Sequence, residues 1–332
     1  MASVVITNHD YARFVDQAIE SALAQRVPCQ VVVVDDGSTD DSLDVIGRYA
    51  PAVEVVAQAN GGQASAFNAG FERSSAPIVL FLDGDDLLAP DAVEAVARAL
   101  DDRPEAARCH FGLGFVDADG RALPGGLPEA ERSLPRGDLS ARVASNPDDV
   151  PWQPTSGNAY RASVLRELLP MPTEPYRISA DHYLSNLSAV HGPIEAIDRN
   201  LGSYRLHGDN ADHRADFDLD RARSILVRTR TTRSLLIDQG TRRGLTMPDD
   251  VDRFRSLTQD ALRLTSFRSA PRGGHPFPGD RWWTLVRRAG GSALARTDLP
   301  PVRRALALAW VGALGLAPRP LLAPIASRGL TR

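Results

Sequence analysis

Three features of this 332-residue sequence predict an α/β fold, with a mainly parallel sheet covered by helices on both faces and a helical C-terminal extension. Strand-like and helix-like segments alternate over roughly the first hundred residues, as parallel sheets require. The strand-like runs are continuously apolar, which suits strands buried on both faces. Two acidic clusters, "DDGSTD" and "LDGDD", each follow such a run, at the strand ends where sheets of this kind bind ligands.

Taken in order, "SVVITN" is a β-branched run that suits a buried strand. A helix fits Ala12 to Gln25, with Phe14, Ala18, Ile19 and Ala22 on one face. "CQVVVVDDGSTDDSLDVIGRYA" repeats the scheme, with Leu43, Ile46 and Tyr49 carried on its helix. "VEVVAQ" is the next strand, "GGQASAFNAGFERS" a Gly-rich turn and helix, and "PIVLFLDGDD" a further strand. "APDAVEAVARALDD" closes the alternation as a helix with Pro90 near its start. Beyond residue 105 the pattern changes. "HFGLGFVDADGRAL" reads as two strands joined by an Asp-Gly turn. Pro124 to Pro154 reads as a long loop, "TSGNAYRASVLREL" as a helix, and "ISADHYLSNLSAVHG" as a helix with Leu184, Leu187 and Val190 inward, ended by Gly192. "IEAIDRNLGSYRLHGDN" suggests two short strands. From Asp212 the spacing is helical, through Ile225, Leu226, Leu235 and Leu236, then Phe254, Leu257, Ala261 and Leu264.

The net charge of −4 supplies no basic field, which argues against a nucleic-acid partner. Every basic residue is arginine, which with the many Ala, Gly and Pro residues is read as coding bias. Cys29 and Cys109 are too few for a disulfide framework and lack metal-ligand spacing. "MASVVITNHD" reads as a strand, not a secretory leader, so a cytoplasmic protein is expected. "RRALALAWVGALGLAP" is shorter than the ~20 residues a membrane span needs. It reads either as a buried helix or as one lying at the inner face of a membrane, with Arg303 and Arg304 near headgroups.

The acidic clusters invite chemistry. In "DDGSTDDS", capping of the next helix explains Ser38, Thr39 and Asp40 but not Asp35 and Asp36. "LDGDD" adds Asp83, Asp85 and Asp86, and Asp83 and Asp85 flank the flexible Gly84 so that both can face one ligand. Such hard oxygen donors suit Mg²⁺ or Mn²⁺, which use one or two carboxylates together with phosphate oxygens.

The stretches "VVITNHDYARFVDQAIESALAQ", "VVVVDDGSTDDS", "NGGQASAFNAG" and "VLFLDGDDLLAPDAV" occur in order and at matching separations. Together they resemble the inverting family 2 glycosyltransferases of GT-A fold. The resemblance covers residues 1 to about 100 closely, continues to 211 more loosely, and does not extend over 212–332. It implies a glycosyltransferase domain over 1–211, with a nucleotide-binding half (1–105) and an acceptor half (106–211), followed by a helical region over 212–332. It implies that Thr7, His9 and Asp36 surround the nucleotide base, that Gly62, Gln63, Asn68 and Gly84 line the nucleotide sugar, and that Asp83 faces the ribose or a metal-bound water. Asp85 and His207 would hold the Mn²⁺ or Mg²⁺ ion, and Asp181 in "ISADHYL" would be the general base. His9 stands where Tyr is common, Ala180 replaces the acidic residue that usually precedes the base, and Ala76-Pro77 replaces a usual Gly.

The implied donor is a UDP-, dTDP- or GDP-linked sugar, and the acceptor a saccharide, a lipid-linked group or a protein. Surface polysaccharide or glycoconjugate synthesis is the implied setting. Asp181 would sit in a partly dry pocket, with its pKa raised towards the working range. Trp152 is read as a sugar platform or a core aromatic, Trp282 and Trp283 as packing residues. His110, His182, His191, His213 and His275 are read as structural. Two other readings stay open: a nucleotidyltransferase acting on a sugar phosphate, although "TNHDYARF" has no glycine and only Arg13, and a non-catalytic scaffold of the same fold.

Overall fold

The computed structural model of the chain describes residues 1–129, 133–208, 218–270, 274–296 and 300–330. Two compact units emerge, the first formed by Met1–Ala144, Val150–Asn210 and Gln239–Thr246, the second by Ser145–Asp149, Ala211–Asp238 and Met247–Arg332. The expected boundary after residue 211 and the structural reading of His213 lie outside the described residues.

In the first unit the chain runs β1 (Ala2–Asn8), α1 (Val15–Leu23), β2 (Cys29–Asp35), α2 (Ser42–Gly47), β3 (Glu54–Ala57), α3 (Gln63–Arg73), β4 (Ile78–Asp83), β5 (Leu87–Leu88) and α4 (Ala92–Asp101). It continues with β6 (Arg108–Val116), β7 (Ala122–Leu127), α5 (Ser140–Ser145), β8 (Asn158–Arg161), α6 (Ala162–Leu168), α7 (Asp181–Ser188) and β9 (Ile194–Arg205). These strands form one sheet of nine, ordered β3-β2-β1-β4-β8-β6-β9-β5, with β7 on β6. β1 to β4 are mutually parallel, because each crossover carries a helix. The rest of the sheet is mixed: β8 runs antiparallel between β4 and β6, whereas β9 runs parallel to β6.

One face of the sheet buries Val4, Ile6, Val33, Leu80, Leu82, Cys109 and Phe111 against Ile19 of α1 and Val93, Val96 and Leu100 of α4. The other face stacks Phe81 on Phe67 of α3, with ring centroids 4.2 Å apart. The register sets Thr7 beside both Val34 and Asp83, so β2, β1 and β4 end at one level.

Several expectations need correction. "NAYR" belongs to β8 rather than to a helix, which starts only at Ala162. The segment 194–205 is one strand, not two, and the irregularity appears as register shifts against β6 around Gly112. The loop over 124–154 contains the end of β7 and the short α5. Leu43 is exposed, and Val45 fills the inward position beside Ile46.

The second unit takes in most of α8 (Leu219–Arg242), with α9 (Leu257–Ser269), α10 (Trp282–Ala295), α11 (Pro301–Leu316) and α12 (Leu322–Leu330). Ser256 caps α9 by accepting the Gln259 N–H at 3.4 Å. Ala261, Leu264, Leu285, Ala289, Val311, Leu314 and Ala326 form its core. Buried Asp260 receives hydrogen bonds from Arg288 and Ser292, which neutralises a charge that burial would otherwise penalise. Trp282 and Trp283, read as packing residues, are 42% and 55% exposed, so neither is enclosed in this core.

Candidate active site

At the end of β2 the two adjacent aspartates divide the work. Asp35 accepts from Asn8 Nδ2 (3.0 Å), Ser38 Oγ (2.6 Å) and the Ser38 N–H (3.0 Å), so it closes the following turn. Asp36 accepts from Gln58 Nε2 (2.6 Å) and from the N–H groups of Gly61 (2.9 Å) and Gly62 (2.7 Å). Three of the roughly four acceptor positions of that carboxylate are thereby filled. Asp36 shapes the 58–62 loop and retains one direction for a further donor.

The same loop leads into α3. Gly62 has φ +83°, and a Cβ there would lie 2.6 Å from Arg177 Cα, so a side chain is excluded by both conformation and space. Gln63 follows. Its Nε2 donates to Asp83 Oδ1 (3.0 Å) and Thr155 Oγ1 (3.1 Å), while its Oε1 accepts the Ala180 N–H (2.8 Å). One amide thus joins the end of β4 to the start of α7, whose first residue is Asp181. Asp181 is half-buried, and its Oδ1 accepts the His182 N–H at 2.9 Å.

The acidic loop after β4 is held from several sides. The Gly84 N–H donates to Thr7 O (2.9 Å). Ser156 Oγ donates to Asp86 Oδ2 (2.6 Å), and the Arg205 N–H donates to Asp86 Oδ1 (2.9 Å). The buried Arg205 guanidinium spans the loop, donating to Asp85 O (2.7 Å), Asp117 O (3.3 Å), Ala118 O (3.2 Å) and Gln17 Oε1 (2.9 Å). A positive group therefore does sit beside the crowded acids. It does not balance them all. Burial, then Asp85 and Asp181, push the Asp83 pKa up to about 8. Burial, then Asp85 and Asp83, hold Asp86 well above the usual carboxylate range.

Asp85 faces His207, with Oδ2 and Nε2 2.9 Å apart and both side chains nearly buried. Tyr11 packs edge-on against the His207 ring at 5.7 Å, and Phe14 lies at 4.8 Å. Two ligands at adjacent octahedral positions, each ~2.1 Å from a Mg²⁺-type ion, lie about 3 Å apart. The Asp85–His207 pair has that spacing; its carboxylate is a hard donor that suits Mn²⁺ or Mg²⁺, and the softer imidazole favours Mn²⁺ of the two. Among the described residues no group of three or more His, Cys, Asp or Glu side chains is placed to hold a metal. The pair fits a cation that takes its other ligands from phosphate and water.

Thr7, Asp36, Gly62, Gln63, Asp83, Gly84, Asp85, Asp181 and His207 thus belong to one connected region at the carboxyl ends of β1, β2 and β4. His9 lies at its exposed rim, where Asn60 Nδ2 approaches His9 Nε2 (3.0 Å) and Asn60 Oδ1 accepts from Arg177 (2.7 Å). Asn68 stands apart. Its amide donates to Met171 O (3.0 Å) and accepts the Met171 N–H (2.9 Å), so it clamps the 171 backbone and makes no contact with this network. Trp152 lies over the buried Arg108 guanidinium (4.5 Å) and donates to Asn186 Oδ1 (3.0 Å), a core role. Sequence reasoning missed Arg205, Ser156, Thr155 and Tyr11. The available signal was "YRLHGDN", where Arg205, the last residue of β9, stands only two positions before His207.

The protein-family model described as glycosyl transferase family 2 matches residues 3–169, half of the chain. An uncharacterized glycosyltransferase of Nostoc sp. is 35% identical over 213 residues, covering 63% of this chain and 65% of the relative. Chondroitin synthase of Pasteurella multocida is 38% identical over 98 residues, covering 28% of this chain and 10% of that protein. The chain therefore spans less than two thirds of the length of either relative. S. aureus TarS 1–349 in complex with UDP-GlcNAc superposes with a TM-score of 0.56 at 16% identity, covering 99% of this chain and 92% of that one. The mannosyltransferase PcManGT from Pyrobaculum calidifontis, in complex with GDP-Man and Mn²⁺, gives 0.50 at 15% identity, over 99% and 83%. At these identities the structural likeness establishes the fold, that of the GT-A glycosyltransferases.

Proposed function

Because the chain belongs to glycosyl transferase family 2, we propose that it transfers a sugar from a nucleoside-diphosphate donor to an acceptor hydroxyl, with inversion at the anomeric carbon. The observation that carries this reading is the Gln63 bridge between Asp83 and the N–H of Ala180, which sets the start of the Asp181 helix against the acidic end of β4. In this reading the bridge joins a donor side to a proton-accepting side.

In this reading Thr7, His9, Asp36, Gly62 and Gln63 form the nucleotide pocket, with Asp83 and Gly84 at the ribose. Asp85 and His207 would hold Mn²⁺ or Mg²⁺, which when bound offsets charge growing on the diphosphate, an effect of several kcal/mol in general. Asp181 takes the proton from the acceptor hydroxyl, a contribution of roughly 10²–10⁴-fold for a positioned base. Attack from the face opposite the leaving group inverts the sugar carbon. The donor class is supported by neighbours bound to UDP-GlcNAc and GDP-Man, and polysaccharide or glycoconjugate assembly by the chondroitin synthase relative.

Calorimetry with UDP and GDP, each with Mn²⁺ or with chelator, tests the donor half. Mn²⁺-dependent binding that is lost in Asp85→Ala is expected, and equal binding in chelator argues against it. Asp181→Asn should leave nucleotide affinity within about twofold while transfer falls at least ~10²-fold. Unchanged transfer would remove Asp181 from the reaction.

A further inference from the structure

Charge is strongly segregated along this chain. Residues 281–332 contain nine arginines and a single acidic residue, Asp298, a net charge of +8 within a chain whose total is −4. Arg288 is occupied internally by Asp260, but Arg281, Arg287, Arg303 and Arg319 are exposed.

The same segment leaves apolar side chains uncovered. α11 buries Val311 and Leu314, yet Val302 is 72%, Leu306 64% and Leu316 76% exposed, with exposed Ala305 and Ala309 between them. That three-to-four-residue spacing makes one stripe along the helix. On α10, Trp283 is 55% and Leu294 58% exposed, and Arg287 lies one turn from Trp283. The two helices pack side by side and antiparallel: a Cβ on Gly315 would meet Val286 at 3.1 Å, and one on Gly290 would meet Leu308 at 4.0 Å. Trp282 Nε1 donates to Gly315 O (2.9 Å), which fixes its partly exposed ring near Leu316 at the end of α11. One side of α11 is therefore core, as the buried-helix reading expected, and the other side faces solvent.

We propose that the outer face of α10 and α11 is a docking surface for an anionic phospholipid bilayer. Tryptophan rings and short apolar side chains settle at the boundary between headgroups and acyl chains, while guanidinium groups pair with lipid phosphates. A second copy of the chain would set the exposed Arg281, Arg287 and Arg303 against their own counterparts in a self-complementary contact, which opposes dimerisation through this face. Among the described residues no helix is long and apolar enough to cross a membrane, so the contact is superficial. The inference goes beyond the transfer reaction and does not depend on it.

Co-sedimentation of the full chain with vesicles tests the surface. Binding to phosphatidylglycerol-containing vesicles, weakened by salt and absent for pure phosphatidylcholine, is expected, with a blue shift of tryptophan emission that Trp283→Phe reduces. Val302→Ser with Leu306→Ser should lower vesicle affinity about tenfold, and Arg287→Glu with Arg303→Glu should weaken binding and flatten its salt dependence. Each pair replaces exposed side chains, so an unchanged Tm confirms that folding is intact. Equal binding to neutral vesicles, no binding to anionic vesicles at low salt, or a dimer in ultracentrifugation that these substitutions dissolve would each overturn the proposal.

Discussion

The amide nitrogen of Gln63 lies 3.0 Å from Asp83 Oδ1, and through its oxygen the same side chain holds the N–H that precedes Asp181. Gln63→Ala removes three hydrogen bonds at once and leaves their partners partly buried. A loss of ~1–3 kcal/mol in stability is expected from such unsatisfied groups. The larger effect should fall on turnover, since a shift of about 1 Å in a reacting group costs roughly 10²-fold. Steady-state kinetics should give a reduced kcat with a smaller change in KM. Gln63→Glu should also impair turnover, because it removes the Nε2 donor to Asp83 and Thr155 and adds another acidic group to a crowded loop.

Arg205 offers a second test. Its guanidinium is committed to three backbone carbonyls and to Gln17, and it is the cation closest in the network to Asp85 and Asp86. Arg205→Met leaves buried acids without that cation, a change that typically costs ~3–5 kcal/mol. Arg205→Lys should recover only part, because an ammonium cannot replace a planar fork. Urea denaturation measures both, and a loss below about 0.5 kcal/mol for Arg205→Met would contradict the role argued for it.

What could be read from sequence follows from how local each signal is. β1, β2 and β4 were legible because "VVIT", "VVVV" and "IVLFL" are apolar over their full length, and Asp83 and Asp85 because they follow the last of these directly. β8 was not, because Ala, Leu and Arg in "NAYRASVLREL" favour a helix, while the slot between β4 and β6 imposes a strand on the first four residues. Asp36 was singled out from its place at a strand end, but its three donors come from residues 22 to 26 positions away, and no local pattern reports them. The bond from Ala180 to Gln63 spans 117 positions, so the nearness of Asp181 to the acidic loop could be expected only from family resemblance. Asn68 follows a related rule: its place in "NGGQASAFNAG" does not reveal that α3 has by then turned its amide towards Met171.

Acidification should expose a separate weakness. His110 is buried, its Nε2 donates to Pro135 O (2.6 Å), and burial followed by Arg108 and Arg136 lowers its pKa to about 3. The folded-state value lies below the ~6.5 of an unfolded histidine, so the unfolded chain takes up the proton first as pH falls. The stability contributed by keeping His110 neutral is complete above that value and is lost progressively towards pH 3. At pH 5 the cost is ~2 kcal/mol, from about 1.4 kcal/mol per unit. His191 shifts in the same direction, whereas the raised carboxyls of Asp83 and Asp86 act oppositely, losing stability as pH rises. The readout is therefore a comparison. His110→Gln keeps a donor for Pro135 and should flatten the denaturation free energy between pH 6.5 and 5 by about 2 kcal/mol relative to the parent.

Gly84 is the tightest constraint in the acidic loop. A Cβ there would lie 2.9 Å from Asn8 Oδ1 and 3.1 Å from Thr7 O. Neither neighbour yields easily. Thr7 O belongs to β1 and accepts the Gly84 N–H, while Asn8 is itself bonded to Asp35 and Ser38. In Gly84→Ala the loop must move instead, at a cost of ~1–3 kcal/mol for overpacking. That movement carries Asp85 away from His207, so Mn²⁺-dependent UDP binding should weaken by at least about tenfold, roughly 1.4 kcal/mol. Gly47→Ala is the control, because nothing lies within 4 Å of a Cβ at that helix end. It should leave calorimetric affinity unchanged and stability equal or higher, by up to about 1 kcal/mol. If Gly84→Ala matched that control in both measurements, the loop would have slack that the close approach of β1 denies it, and the Asp85–His207 spacing could not be what sets cation affinity.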